Sequence, residues 1–412
     1  MKSSGSGLLG LSANLSLWSP LISPETQAMQ TPKSIIGSYG IWASQLASDP
    51  ASLSFRNERF TNLESWKLQA RQQTDHCIAA PELDPSLTVR EIASYTFDGI
   101  QVEELEWSLP YGNPTRALLL HPSGAGPWPG ILALHDHGGN KYLGWRKIAR
   151  SNKAVPDFIK EHQDHYYGGV AWANELAKMG YAVLVHDAFT FGSRRVLPEN
   201  VEGIEWGMPE IPPFNPDKED LNYISGYNNW AAAHEHVLSK SLFCAGTTWP
   251  GVFLKEDQIA LDILSNRSEV DANNLGCCGL SGGGLRTVYL GGLDDRIKCA
   301  IAVGFMSTWN DFLLYKSYTH TWMLYAPLLP NYLDFPEILG LRTPLPTMVL
   351  NNREDQLFTL EEMETSDKIL KEVFVKAGAS EKYQCNFYNG PHKFDQEMQQ
   401  DAFQWFNRWL KN

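Results

Sequence analysis

Hydrophobic and polar positions change period along the chain. From Ile35 to about Ala80 the apolar residues fall at helical spacing, with Trp42 and Leu46 and later Phe60, Leu63, Trp66 and Leu68, which predicts a helical N-terminal extension over residues 35–88. Strand-like alternation then predicts strands over Val89–Phe97, Gln101–Leu109 and Arg116–Leu120, the first two joined by Asp98-Gly99, a pair suited to a tight hairpin. Continuous apolar runs follow at Pro129–Leu134 and Ala182–His186, as expected of parallel strands covered on both faces, with a helix over Gly169–Met179 between them. The C-terminal half repeats the alternation. Helices are predicted over Phe253–Arg267, from Gly283, over Leu360–Ala377 and over Gln396–Leu410. Strands are predicted over Leu275–Leu280, Cys299–Val303, Pro346–Asn351 and Tyr383–Tyr388. Strand-helix-strand repetition of this kind implies an α/β class with a mostly parallel, doubly wound sheet and helices on both faces.

Two stretches lack either period. Residues 1–34 are rich in Ser, Pro, Thr and Gly and read as a flexible tail. Residues of about 190–250 are broken by prolines, tryptophans and tyrosines, as in Glu205–Phe214, with a possible helix over Tyr227–Leu242; they read as a lid-like, substrate-shaping insertion in a catalytic domain spanning 89–412.

Composition narrows the function classes. The 412 residues are 43% hydrophobic, enough for a large core, and the net charge of −13 with no basic run argues against a nucleic-acid surface. No run of 18 apolar residues argues for a membrane span. The six cysteines, at 77, 244, 277, 278, 299 and 385, have no framework spacing; Cys277 and Cys278 adjoin in a strand and should point to opposite faces. Reduced thiols of this kind, with an apolar N-terminal stretch too broken for an ordinary export signal, lead us to expect a reducing, cytoplasmic setting. The sequence gives no indication of oligomeric state.

The chemistry centres on Gly279-Leu-Ser281-Gly-Gly283. A serine on a sharp strand-to-helix turn needs glycine two residues before and after it, because the chain crosses itself there. The amide of Gly282 then opens a helix whose positive end can face an oxyanion. A serine hydroxyl needs a base, and the histidines downstream are His320 and His392. His392, in the turn Asn389–Phe394 between the last strand and last helix, is preferred to His320, which sits in an aromatic segment. Asp355, after the penultimate strand, is the expected orienting carboxylate, with Glu354 as the fallback. The second oxyanion amide is expected from His137, with Gly138 next, in the loop His135-Asp-His-Gly-Gly139. His135, Asp136 and His137 lack further ligands at a telling spacing, so no metal and no cofactor is expected. His234-Glu235-His236, in the predicted helix, reads as a solvated or packed face, and His162 and His165, on another polar stretch, get the same reading. Trp249, Trp309 and Trp322 are candidates for a substrate-binding wall, with core packing as the alternative for each.

The motifs His135-Asp-His-Gly-Gly, Asp187-Ala-Phe, Phe191-Gly-Ser-Arg194, Gly279–Arg286, Leu293-Asp-Asp-Arg-Ile297, Asn352-Arg-Glu-Asp355 and Gly390-Pro-His392 together resemble the serine α/β-hydrolase superfamily. Within it the chain is similar to the bacterial acetyl xylan esterase and dienelactone-hydrolase-like group, over about residues 90–412. The resemblance implies the α/β-hydrolase fold, a triad of Ser281, Asp355 and His392, and removal of short acyl groups, often acetyl, from small-molecule or carbohydrate esters. Serine here, rather than the cysteine of dienelactone hydrolases, favours ordinary ester hydrolysis, whereas His-Asp-His differs from the His-Gly-Tyr type of triplet in xylan esterases. The rival readings are a serine peptidase or amidase on the same fold and a non-catalytic binding protein.

Overall fold

The structure, a computed structural model, describes residues 33–83, 87–152, 154–204, 207 and 220–411. The expected tail, but for Lys33 and Ser34, and the Glu205–Phe214 stretch, but for Gly207, lie outside them. Residues 33–412 form one compact unit.

Nine strands make one sheet: β1 (Val89–Phe97), β2 (Ile100–Trp107), β3 (Thr115–Pro122), β4 (Trp128–Leu134), β5 (Ala182–His186), β6 (Val270–Leu280), β7 (Ile297–Val303), β8 (Thr347–Asn352) and β9 (Tyr383–Tyr388). Their order is β1-β2-β3-β5-β4-β6-β7-β8-β9. The first three strands pair antiparallel and β3 meets β5 antiparallel, whereas every pair from β5 to β9 is parallel. At the β1–β2 turn Asp98 has φ 52° and Gly99 φ 83°, the two positive angles that a two-residue hairpin needs.

The helices are α1 (Tyr39–Ser44), α2 (Leu63–Ile78), α3 (Asp157–Tyr167), α4 (Trp172–Lys178), α5 (Leu221–Cys244), α6 (Trp249–Ser265), α7 (Gly282–Leu293), the single turn α8 (Trp309–Asp311), α9 (Phe335–Gly340), α10 (Leu360–Lys376) and α11 (Gln396–Leu410). Alternate strand residues feed two cores. Leu132 and Leu134 of β4 and Cys277 of β6 join Trp66 of α2, Leu261 of α6, Val288 of α7 and Leu370 of α10. Ile131, Ala133, Cys278 and Leu280 face the other way, against Trp172 and Leu176 of α4 and Phe403 and Phe406 of α11. Helices therefore cover both sheet faces, which explains the uninterrupted apolar runs. The N-terminal extension shares the first core: Phe55 stacks on Trp66 at 4.5 Å, and Arg56 meets the buried Glu337 carboxylate at 3.3 Å.

The parallel register fixes where the chemistry can occur. Leu134 pairs with Gly279, Leu280 with Val303, Val303 with Leu350, and Asn352 with Tyr388. The carboxyl ends of β4, β6, β7, β8 and β9 therefore share one edge, where an open α/β sheet collects its functional loops.

Candidate active site

Ser281 leaves β6 with φ 56° and ψ −117°, a strained conformation for a residue carrying a side chain. The strain persists because β7 fixes one side and the first turn of α7 the other: the Ser281 amide donates to Val303 O at 2.9 Å, and Ser281 O accepts from Leu285 N at 2.8 Å. The glycine spacing has the steric cause expected. A Cβ on Gly279 would stand 2.4 Å from Leu134 O, and one on Gly283 only 2.1 Å from the same oxygen. Any larger residue would drive the elbow off β4.

The structure brings Asp355 and His392 together: His392 Nδ1 lies 2.6 Å from Asp355 Oδ2. The second carboxylate oxygen accepts from Leu357 N at 3.0 Å, so both oxygens of this buried group are committed. Glu354 takes a different task, its carboxylate accepting from the Gly390 amide in the loop that carries the histidine. The imidazole lies against β7: a Cβ on Gly304, whose φ is +56°, would be 2.9 Å from His392 Cε1. Gly304 follows Val303, the residue that holds the Ser281 amide, so serine and imidazole are both placed by the end of one strand. His392 Nε2 is buried with no hydrogen-bond partner among the described residues, which leaves it able to take up a proton. His320 has no such freedom. Its Nε2 donates to Leu357 O at 3.0 Å, its ring packs on Phe312 and Phe358 at 4.8 and 4.9 Å, and burial pushes its pKa down to about 4.

The loop after β4 closes the other side. The His137 amide nitrogen stands 2.9 Å from where a Cβ on Gly282 would be, which brings it against Gly282 at the α7 N-terminus. Gly138 follows with φ 51°. A Cβ there would strike the Asp136 carboxylate at 2.3 Å. Three buried groups hold this loop from below. The Lys147 ammonium donates to Asp136 O at 2.7 Å and His137 O at 2.8 Å, and burial pulls its pKa down to about 8. Asp136 faces Lys147 at 3.7 Å, meets His162 Nε2 at 3.1 Å and accepts from the Tyr167 hydroxyl. Burial alone would raise its pKa, but the Lys147 charge and these donors hold the carboxyl well below its ordinary range.

Several sequence expectations need correction. His162 and Glu235 are not merely packed on a helix face: each is an anchor of the β4 loop, His162 through Asp136 and Glu235 through His137 Nε2 at 2.6 Å. His165 is exposed, as expected. His135 and His137 do not converge on a shared ion position: His135 Nε2 accepts from Ala188 N at 3.2 Å, whereas His137 Nε2 faces Glu235. Trp249 is not a substrate wall. It is 0% exposed, between Phe189 at 5.8 Å and the Lys141 ammonium at 4.7 Å. Trp309 donates its indole N–H to Leu333 O at 3.0 Å and packs edge-on against Phe335 at 5.2 Å, a structural placement. Trp322 is half-buried. The helix expected over Tyr227–Leu242 is longer, α5, and α3 has no counterpart in the sequence reading.

An elbow serine after β6, a carboxylate after β8 and a histidine after β9, on this strand order, define the α/β-hydrolase fold, and the chain has that fold. No protein-family model matches it. It is 25% identical over 288 residues, 69% of this chain and 80% of the other, to the protein of Bacillus subtilis (strain 168) named "Putative hydrolase YtaP". Among solved structures it is similar to a "putative acetyl xylan esterase" from Bacteroides fragilis NCTC 9343, with TM-score 0.64 and 17% identity over 86% of this chain and 82% of that one. It is similar also to a glucuronoyl esterase from Solibacter usitatus, with TM-score 0.56 and 15% identity over 87% and 97% of the two chains. Among the described residues no helix is long and apolar enough to cross a membrane.

Proposed function

We propose that the protein is a serine carboxylic ester hydrolase that removes short acyl groups, acetyl first among them, from carbohydrate or similar alcohols. The observation that carries this reading is the Ser281 elbow, held strained against Val303 beside an imidazole whose far nitrogen is paired with Asp355. His392 Nε2 takes the proton of Ser281 as its oxygen attacks the ester carbonyl. Asp355 holds the imidazole in the tautomer that leaves Nε2 free and stabilises the imidazolium that forms. The amides of Gly282 and His137 receive the oxyanion; His392 returns the proton to the leaving alcohol, and water then releases the acyl group by the same steps in reverse order. The esterase names of the similar structures, acetyl xylan esterase and glucuronoyl esterase, support the choice of a carbohydrate ester. Trp322, half-buried on the segment that Glu235 holds, is the remaining aromatic candidate for a sugar-facing wall.

The test is a substrate panel of p-nitrophenyl acetate, butyrate and octanoate, acetylated xylo-oligosaccharide, a methyl glucuronate ester, p-nitroacetanilide and a peptide p-nitroanilide, each with wild type and Ser281→Ala. The expected result is turnover highest on acetyl esters and lost in the variant. Turnover confined to peptide or anilide substrates would overturn the esterase reading.

A further inference from the structure

Glu235, a side chain of the insertion, reaches the loop after β4. It lies in α5, is buried, and its carboxylate is fully subscribed by donors from two other segments. Oε1 faces His137 Nε2 at 2.6 Å and the Lys141 ammonium at 2.9 Å. Oε2 accepts from Thr321 Oγ1 at 2.7 Å and from Trp322 N at 3.2 Å. Burial alone would protonate such a group, but Lys141 and His137 hold its pKa well below the ordinary carboxylate range, so it is ionised. The His137 tautomer follows. Gly139 N donates to His137 Nδ1 at 3.1 Å, so that nitrogen carries no proton, and Nε2–H is the donor to Glu235. Residue 137 is thereby fixed at its carbonyl by Lys147, at Nδ1 by Gly139 and at Nε2 by Glu235. With those three points held, the remaining backbone group, the amide beside Gly282, has a set direction.

We propose that Glu235 is a positioning residue for the oxyanion hole: through the His137 imidazole it aims the His137 amide, and so makes the seating of α5 and of the Thr321-Trp322 segment a condition for turnover. This rests on the esterase reading above. Amides that stabilise a developing oxyanion act only when aimed within a fraction of an ångström, so the contribution appears in the transition state and not in substrate binding. Glutamine is isosteric at this position yet unsuited to it, because its NH2 must face either Trp322 N–H with the Thr321 hydroxyl or His137 Nε2–H with Lys141.

Glu235→Gln and Glu235→Asp test this with p-nitrophenyl acetate and with a boronic acid that forms a tetrahedral adduct on Ser281. Aspartate keeps the charge beside Lys141, which guards the fold, while drawing the carboxylate back from His137. In the folded Gln variant kcat should fall roughly tenfold to a hundredfold with KM within about twofold, and boronate affinity should fall by the same factor as kcat. The Asp variant should show the same split, smaller. Either variant folded with unchanged kcat overturns the proposal, as do kcat, KM and melting temperature all changing together. Ser281→Ala distinguishes the two levels: if it keeps turnover the esterase reading itself fails, whereas if it loses turnover and Glu235→Gln does not, only the positioning role fails.

Discussion

Asp355→Asn should abolish most turnover without disturbing the fold, and the structure fixes why. Asp355 Oδ1 accepts from the Leu357 amide at 3.0 Å, a backbone donor that cannot turn away. An asparagine at this position must therefore keep its carbonyl oxygen toward Leu357 and present its NH2 to His392 Nδ1, 2.6 Å from the present oxygen. Nδ1 becomes an acceptor, the ring proton moves to Nε2, and the nitrogen meant to take the proton of Ser281 is occupied. A wrong tautomer of this kind costs about ten-thousandfold in kcat, roughly 5 kcal/mol of transition-state stabilisation. The assay is steady-state hydrolysis of p-nitrophenyl acetate, with urea denaturation to show that the fold is kept. Glu354→Gln is the matched control: Glu354 holds the Gly390 amide, two residues before His392, and its loss should cost only a few-fold. Asp355→Asn within tenfold of wild type, or a greater loss in Glu354→Gln, refutes the assignment of the acid.

Three further outcomes follow from packing and charge. Gly283→Ala places a methyl group 2.1 Å from Leu134 O, which should cost about 3 kcal/mol in urea unfolding and end fluorophosphonate labelling of Ser281; a labelled, stable variant would refute the crossing argument. Trp249→Ala should lose about 3–5 kcal/mol of stability because the indole is wholly buried, whereas a raised KM at an unchanged urea midpoint would return it to the substrate wall. His320 has a folded pKa of about 4, below its unfolded value of about 6.5. The unfolded chain binds a proton that the folded chain refuses in that window, so stability falls as pH drops through it, by about 3 kcal/mol from this group. Wild type should therefore lose more stability between pH 6.5 and 4 than His320→Gln does, and parallel curves would contradict the account of that ring.

The sheet was legible because its central strands are continuous apolar runs and its outer ones show strand-like alternation, and β1, β5 and β9 begin and end where the pattern does. Ser281 was legible because an elbow writes its steric needs into five adjacent residues, and Asp355 and His392 because each follows a recognisable strand. The supporting groups were not. Glu235 and His137 are 98 residues apart, and the neighbours of Glu235 on α5 say nothing of a partner across the site. Lys147 reads in sequence as a cation, which by itself predicts exposure, and its burial is explained by the carbonyls of residues 136 and 137 and the Asp136 carboxylate. The buried face of α3 is Ile159, His162, Gln163 and Tyr167, so its period is carried by polar groups that a hydrophobic pattern misses. Trp249 failed differently, because an indole suits a sugar-facing wall and a core equally well and only its exposure separates the two.

The most direct test of the serine mechanism is rapid-quench mass spectrometry of the protein during turnover of p-nitrophenyl acetate, with peptide mapping of any adduct. One acetyl group should appear on the peptide carrying Ser281 in the first turnover and should be absent in Ser281→Ala. Turnover with no acyl adduct at Ser281, or turnover undiminished in Ser281→Ala, would contradict it.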